Sequence, residues 1–300
     1  MVNTLGELYL EAKKSLMARE DPQTAGFYAR NLLCHVSGLR PEQLLADSHE
    51  PVRHDVQQAM WQAVDRILAD EPLAYVLGQW EFYGLQLQVS PDVLIPRDDT
   101  CAVVDLAMSQ ALFLPKRPRI LDLCTGSGCI GLALASKIPD ARVTLADLSP
   151  EALTMAKKNV AQLKLSGRVS CCQADALAEP QGFLGQFDMI ISNPPYITTE
   201  EMIQLPTSVK EFEPHMALHG GDDGLIFYRS ITQNYRKALK PGGFLCYEFG
   251  MGQGDAVCEI LRENGFTILE RTKDFNNRER AVLARYDRKD DYDGDKENSL

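Results

Sequence analysis

The sequence predicts an α/β protein in which a small N-terminal helical bundle precedes one seven-stranded, mostly parallel sheet. Two observations carry this expectation. From Arg119 onward, short apolar runs alternate with segments of helical length, the pattern of a parallel sheet with right-handed crossovers. Before Pro72 only helical patterns occur.

The bundle opens on a capping box, Thr4-x-x-Glu7, ahead of an amphipathic segment that reaches about Arg19. Asp21-Pro22 starts a second helix, which Gly38 stops. Residues 41–45 form a short helical turn and 55–70 another long helix. Residues 1–71 thus make a helical domain with no obvious catalytic residue. Pro72 marks a change of character. Apolar and polar residues alternate on either side of Gly84, from Trp80 to Val89, which reads as a β-hairpin. Residues 72–97 are expected to connect the bundle to the main domain, and Val93-Leu-Ile-Pro-Arg97 leads into a helix over 100–113.

Strands follow at 120–124, 142–146, 168–172, 187–192 and 243–248, with helices at 128–137, 150–165, 225–239 and 255–264. Two closing runs, 266–269 and 280–284, have no helix between them and suggest an antiparallel edge. The main domain, residues 98–286, is therefore Rossmann-like. Residues 287–300 are acidic and expected to be disordered.

Composition narrows the function classes. The 300 residues are 45% hydrophobic and 24% charged, ordinary for a globular protein, and no run approaches the length of a membrane span. The N-terminus lacks the basic and apolar regions of a leader, so a cytoplasmic location is expected. A net charge of −11 without a basic cluster argues against nucleic acid and favours a protein or small-molecule partner. The eight cysteines form no C-x-x-C pair and read as reduced small hydrophobes. His215 and His219 have helical spacing, but Pro214 and Gly220-Gly221 flank them and no third ligand is near, so no metal site is expected. A monomer is expected.

Chemistry concentrates at two places. Asn193-Pro194-Pro195-Tyr196 follows the apolar run at 187–192. Two prolines continue neither a ladder nor a helix interior, so the chain leaves the sheet in a stiff extended turn. Open α/β sheets place their ligands at that carboxyl edge, and carbonyls held in fixed directions suit gripping an NH2 group. The alternative is a proline-stiffened surface turn. The second place is Asp122-Leu-Cys124-Thr125-Gly126-Ser127-Gly128, between the first main-domain strand and its helix. Its glycines let a ligand approach the helix N-terminus. Asp147 ends the next strand, where a carboxylate accepts from both hydroxyls of a ribose; Asp175 follows the third strand, in reach of an adenine amino group. Gly126-Ser-Gly128-Cys-Ile-Gly131 also fits G-x-G-x-x-G, which leaves a nicotinamide dinucleotide in view. Asp122 is a poor neighbour for phosphates and better suits a cationic sulfonium cofactor such as S-adenosylmethionine. The bland alternative for Asp147 and Asp175 is a pair of solvated strand ends.

With these residues in hand, the chain resembles the class I S-adenosylmethionine-dependent methyltransferases, and among them the release-factor glutamine N5-methyltransferases. The likeness runs through residues 72–84 and 93–97, the loop at 121–128, Ser192-Asn-Pro-Pro-Tyr-Ile197, Phe212-Glu-Pro214 and Gly221-Asp-Asp-Gly-Leu225. Two departures stand out: Cys124 where many relatives carry glycine, and Asp98 to Cys101 in place of a proline and a glutamate. The resemblance implies cofactor binding by Asp122, Cys124, Thr125, Gly126, Ser127, Gly128, Asp147, Asp175, Ala176 and Asn193. It implies an acceptor glutamine in the Gly-Gly-Gln loop of class 1 peptide chain release factors, met by Asn193, Pro194, Pro195 and Tyr196; Arg97 is a further candidate for substrate binding, with an ordinary helix-start charge as its alternative reading. Asn193 Oδ1 and the Pro194 carbonyl would accept the two amide hydrogens while Tyr196 packs on the amide plane. The competing expectations are a ribosomal-protein glutamine methyltransferase, a DNA adenine N6-methyltransferase and, from another class, an NAD-dependent oxidoreductase.

Overall fold

Thr4 starts helix α1 (Leu5–Leu16) by accepting a hydrogen bond from Glu7 N, as the capping motif requires. The return bond differs: the Glu7 carboxylate takes the N–H of Asn3, one residue before the cap, at 2.7 Å. The computed structural model describes residues 3–287. Of the acidic stretch expected at 287–300, all but Asp287 lies outside the described residues.

Asp21 caps α2 (Pro22–Ser37), which ends at Gly38. Then come α3 (Pro41–Ala46), α4 (His54–Leu68) and α5 (Leu73–Leu77). Val56, Met60, Ala63, Val64 and Ile67 form the buried stripe of α4. They pack with Leu8, Leu16, Leu32 and Leu33 into a single core. Residues 73–77, expected within the connector, wind into α5 before the hairpin starts. Strands β1 (Gln79–Phe82) and β2 (Leu85–Gln88) are joined by Tyr83 and Gly84, at φ 53° and 76°. Two central residues with positive φ make the turn that suits the twist of a hairpin.

The remaining elements are α6 (Cys101–Met108), β3 (Arg119–Leu123), α7 (Cys129–Lys137), β4 (Arg142–Asp147), α8 (Pro150–Gln162), β5 (Val169–Gln173) and β6 (Phe187–Ser192). They continue with α9 (Thr199–Ile203), α10 (Thr207–Lys210), α11 (Ile226–Tyr235), β7 (Leu239–Glu248), α12 (Gly254–Glu263), β8 (Phe266–Lys273) and β9 (Glu279–Tyr286). The seven-stranded sheet has the order β5-β4-β3-β6-β7-β9-β8. Strands β3 to β7 pair in parallel, and β9 is antiparallel to both β7 and β8. Successive residues of the central strands feed two cores: Ile120, Met189 and Ile191 belong to one, Leu121 and Ile190 to the other. The fold class expected from the sequence is the one observed.

The differences lie at element ends. Helix α6 stops at Met108 and α11 at Tyr235, each followed by tighter turns, while β7 begins at Leu239, before Gly242 and Gly243. The short helices α9 and α10 have no counterpart in the sequence reading. The chain divides into two units. One comprises the chain up to Trp80 with Val89–Pro91 and Pro206–Glu213; the other comprises Glu81–Gln88, Asp92–Leu205 and the chain from Pro214 onward. The helical unit thus reaches past residue 71 and recruits α10 from far along the sequence.

Candidate active site

The strand order reverses between β3 and β6, since the chain runs outward through β4 and β5 before returning to the other side of β3. Ligands bind open α/β sheets at the carboxyl ends of strands flanking such a reversal. Both sequence clusters sit there.

The loop after β3 is held from beneath by Asp122. Its Oδ2 accepts from Thr125 Oγ1 at 2.6 Å and from Gly131 N at 2.9 Å, which ties the loop to the first turns of α7. Oδ1 is buried with no hydrogen-bond partner. Burial pushes the Asp122 carboxyl up to about 7, against those two bonds. Gly131 is glycine because a Cβ there would collide with Leu145 and crowd Asp122. Asn159 of α8, fully buried, donates to Ser127 O at 2.9 Å and exchanges bonds of 2.7 and 3.0 Å with Gln88 of the hairpin. These bonds hold the loop from behind.

Above it lies a pocket of about 730 Å3, including its open mouth. Cys124 and Gly126 line it from the loop, Asp147 to Ser149 from the end of β4, Asp175 to Leu177 from beyond β5, and Asn193 and Pro195 from the end of β6. Asp147 Oδ2 accepts from Gly126 N at 2.8 Å and Oδ1 from Ser149 N at 3.0 Å, so each oxygen keeps a further lone pair for a hydroxyl. Burial raises the Asp147 carboxyl, and these backbone N–H groups oppose the shift. Asp175 Oδ1 accepts from Leu177 N at 2.8 Å, shaping the turn that forms one wall. Three carboxylates, Asp92, Asp147 and Asp175, line the pocket, and no lysine, arginine or histidine does. That donor set fits a ribose-bearing cation and not a pyrophosphate.

Most residues named from sequence separate into two groups, and three fall in neither. Cys124, Gly126, Asp147, Asp175, Ala176, Asn193 and Pro195 face the pocket. Asp122, Thr125 and Ser127 are buried, and with Gly128, the cap of α7, they shape the loop from behind. Pro194 is buried and does not line the pocket. Tyr196 lines a separate cleft with Ile197, Met251 and Gln253. Burial raises its phenol strongly, and it lies in the field of Glu248, Arg280, Arg97 and Asp99. Arg97 does not line the pocket.

The turn carrying Asn193 is clamped by residues with no evident chemistry. Ile197 N donates to Leu218 O at 2.9 Å, and Gly220 N to Ile197 O at 2.8 Å. Gln253 Nε2 donates to Tyr196 O at 2.9 Å. Gly224, at φ 70°, lies so close that a Cβ would collide with Tyr196 O and Gln253. Pairing of Ser192 with Tyr247 brings the next residues side by side, Asn193 just past β6 and Glu248 at the end of β7. Among the described residues, no group of three or more His, Cys, Asp or Glu side chains is arranged to hold a metal ion.

Comparison with known proteins assigns this arrangement to a family. Residues 104–211 match the family described as Methyltransferase small domain, and residues 7–78 the one described as PrmC N-terminal domain. The release factor glutamine methyltransferase of Clostridium acetobutylicum is 42% identical over 71% of this chain and 74% of its own length. That of Moorella thermoacetica is 41% identical over 85% of this chain and 89% of its own. The chain belongs to the release factor glutamine methyltransferases. Its sheet is shared more widely: the hMettl16 catalytic domain matches with a TM-score of 0.56 at 18% identity, covering 73% of this chain and 82% of that one.

Both departures from the family pattern have a visible setting. Cys124 occupies φ 61°, a left-handed conformation that explains a preference for glycine. Asp98 to Thr100 form a tight turn before α6 in which Asp99 pairs with Arg280 at 3.0 Å. Arg280 also contacts Asp274 at 3.2 Å and is itself nearly buried. Sequence reasoning passed over Glu248, Thr100, Arg280 and Gln253. Glu248 and Arg280 stand in ordinary strand patterns, and only the register of β6, β7 and β9 brings these two to the Asn193 turn.

Proposed function

We propose that this methyltransferase uses S-adenosylmethionine to methylate the side-chain amide nitrogen (N5) of the glutamine in the Gly-Gly-Gln motif of class 1 peptide chain release factors. The observation that carries the proposal is that one acidic pocket is lined both by Asp147 and Asp175 and by Asn193 and Pro195. Asp147 would take the ribose hydroxyls of the cofactor, Asp175 and Ala176 the adenine, and Gly126 would admit the chain close to the loop. When bound, the cofactor supplies an electrophilic methyl group on a sulfonium.

An amide nitrogen is a weak nucleophile because its lone pair is delocalised. Asn193 Oδ1 and the Pro194 carbonyl would accept the two N–H hydrogens and turn that lone pair out of conjugation. The clamped turn keeps both acceptors in fixed directions, and well-oriented reactions reach effective molarities on the order of 10⁵–10⁸ M. No strong base is needed first, since the methylated amide becomes acidic and loses its proton late. Tyr196, lining its own cleft, would hold the turn more than the substrate. Residues up to Trp80 would dock the protein substrate, and work on a release factor implies a cytoplasmic protein.

The test offers purified release factor, a ribosomal protein and DNA together with tritiated-methyl cofactor. Label is expected in the release factor, at the Gly-Gly-Gln glutamine, and lost with Asn193→Ala while the cofactor still binds. Label in another acceptor, or undiminished transfer by the variant, would overturn the proposal.

A further inference from the structure

Glu248 ends β7 beside Asn193 and is 1% exposed, an acidic side chain in a place where burial pushes its carboxyl up to about 7. Thr100, 2% exposed, stands next to both residues: Asn193 Nδ2 donates to Thr100 Oγ1 at 3.4 Å, and the side chains of Thr100 and Asn193 oppose the upward shift of the Glu248 carboxyl, as donors facing its charged form do. Oε2 of Glu248 is buried without a partner. A donor from Thr100 or Asn193 that serves Glu248 must therefore reach the other oxygen.

We propose that Glu248 is a positioning residue that locks the Asn193 carboxamide with its NH2 turned toward β7 and its oxygen turned toward the pocket. A carboxylate oxygen only accepts, so the NH2 end of the amide must face it; the flipped amide would set two oxygens against each other. A proton on Glu248 would sit at the partnerless Oε2, which leaves the oxygen facing Asn193 an acceptor in either protonation state. Arg280 holds the cluster in place. Its guanidinium pairs with Asp99 and Asp274, at 3.0 and 3.2 Å, and its charge offsets part of the burial of Glu248. A lone asparagine at a strand end could present either end of its amide to a ligand. Beside Glu248 it presents only the acceptor.

The inference rests on the proposed function, in which Asn193 grips the acceptor amide. Two measurements on the full chain test it. In Glu248→Ala, kcat for the release factor is expected to fall roughly 10- to 100-fold, the scale of a small misplacement, with KM and cofactor affinity unchanged within about twofold. In the ¹⁵N-labelled protein, the Asn193 side-chain NH2 resonances, identified by their loss in Asn193→Ala, are expected to shift in the same variant. Should Glu248→Ala fail to fold, Glu248→Gln keeps the volume and is read by both measurements, with an intermediate loss expected because its amide either accepts or donates. Wild-type kcat, or unmoved Asn193 resonances, would overturn the proposal. If the wild type methylates no release factor, the proposed function fails and the resonances alone decide the positioning role.

Discussion

Cys124 holds a backbone conformation that glycine adopts freely and other residues adopt at a cost of about 1–2 kcal/mol. The usual order of substitution should therefore invert here. Cys124→Gly is expected to be more stable than Cys124→Ala by about 1 kcal/mol, measured by urea unfolding, although glycine is the more flexible residue in the unfolded chain. Asp122 gives a second prediction. Its folded value, raised from 3.8 to about 7, means that the folded state binds more protons than the unfolded one between those pH values. Its contribution is present in full below the lower value and is lost as pH rises through the upper one. Asp122→Asn removes that dependence while keeping an acceptor for Thr125 and Gly131. The melting temperature of the variant should gain on wild type as pH rises from 4 to 8. A constant difference would show that Asp122 is not carrying a raised value. At this scale the sequence was partly legible. The pocket residues Asp147 and Asp175 announce themselves as carboxylates at or just past strand ends. Asp122 looked like a ligand neighbour but braces the loop, because a residue one place inside the strand points into the core.

Among the elements, the turn from Asn193 to Tyr196 depends on glycines that belong to another segment. Gly224→Ala introduces a methyl where Tyr196 O and Gln253 already stand, at a φ that disfavours alanine. The turn must move. Methyl transfer is expected to drop at least tenfold, while titration calorimetry finds cofactor affinity close to wild type, since Asp147 and Asp175 are untouched. Equal losses in both would mean that the clamp supports the whole pocket instead. The parallel strands were readable because each is a short apolar run between helices. The helices α9 and α10, of five and four residues, were not, because one turn of helix leaves no periodicity to detect. Asn159 was equally silent: a polar residue on α8 reads as solvated until the hairpin covers it.

The molecule as a whole comprises a helical unit and a catalytic unit, and the predicted division of labour is testable by truncation. Removal of residues 1–80 should abolish methylation of intact release factor and leave cofactor binding within about tenfold of wild type. Full methylation by the truncated chain would refute a docking role for the helical unit. No described helix is long and apolar enough to cross a membrane. Fold class was legible at this scale from the alternation of strands and helices alone. Unit boundaries were not, because a segment that joins a unit from a distance carries no compositional mark.

That distant segment, Pro206–Glu213, bears on how the protein is made. A ribosome delivers a chain from its first residue, and N-terminal domains generally fold as they emerge. Here the first unit lacks its last piece until Pro206–Glu213 has followed, by which time β3 to β6 are already out. The helical unit is begun first and completed late, so the maturation of each unit is tied to the birth of the other.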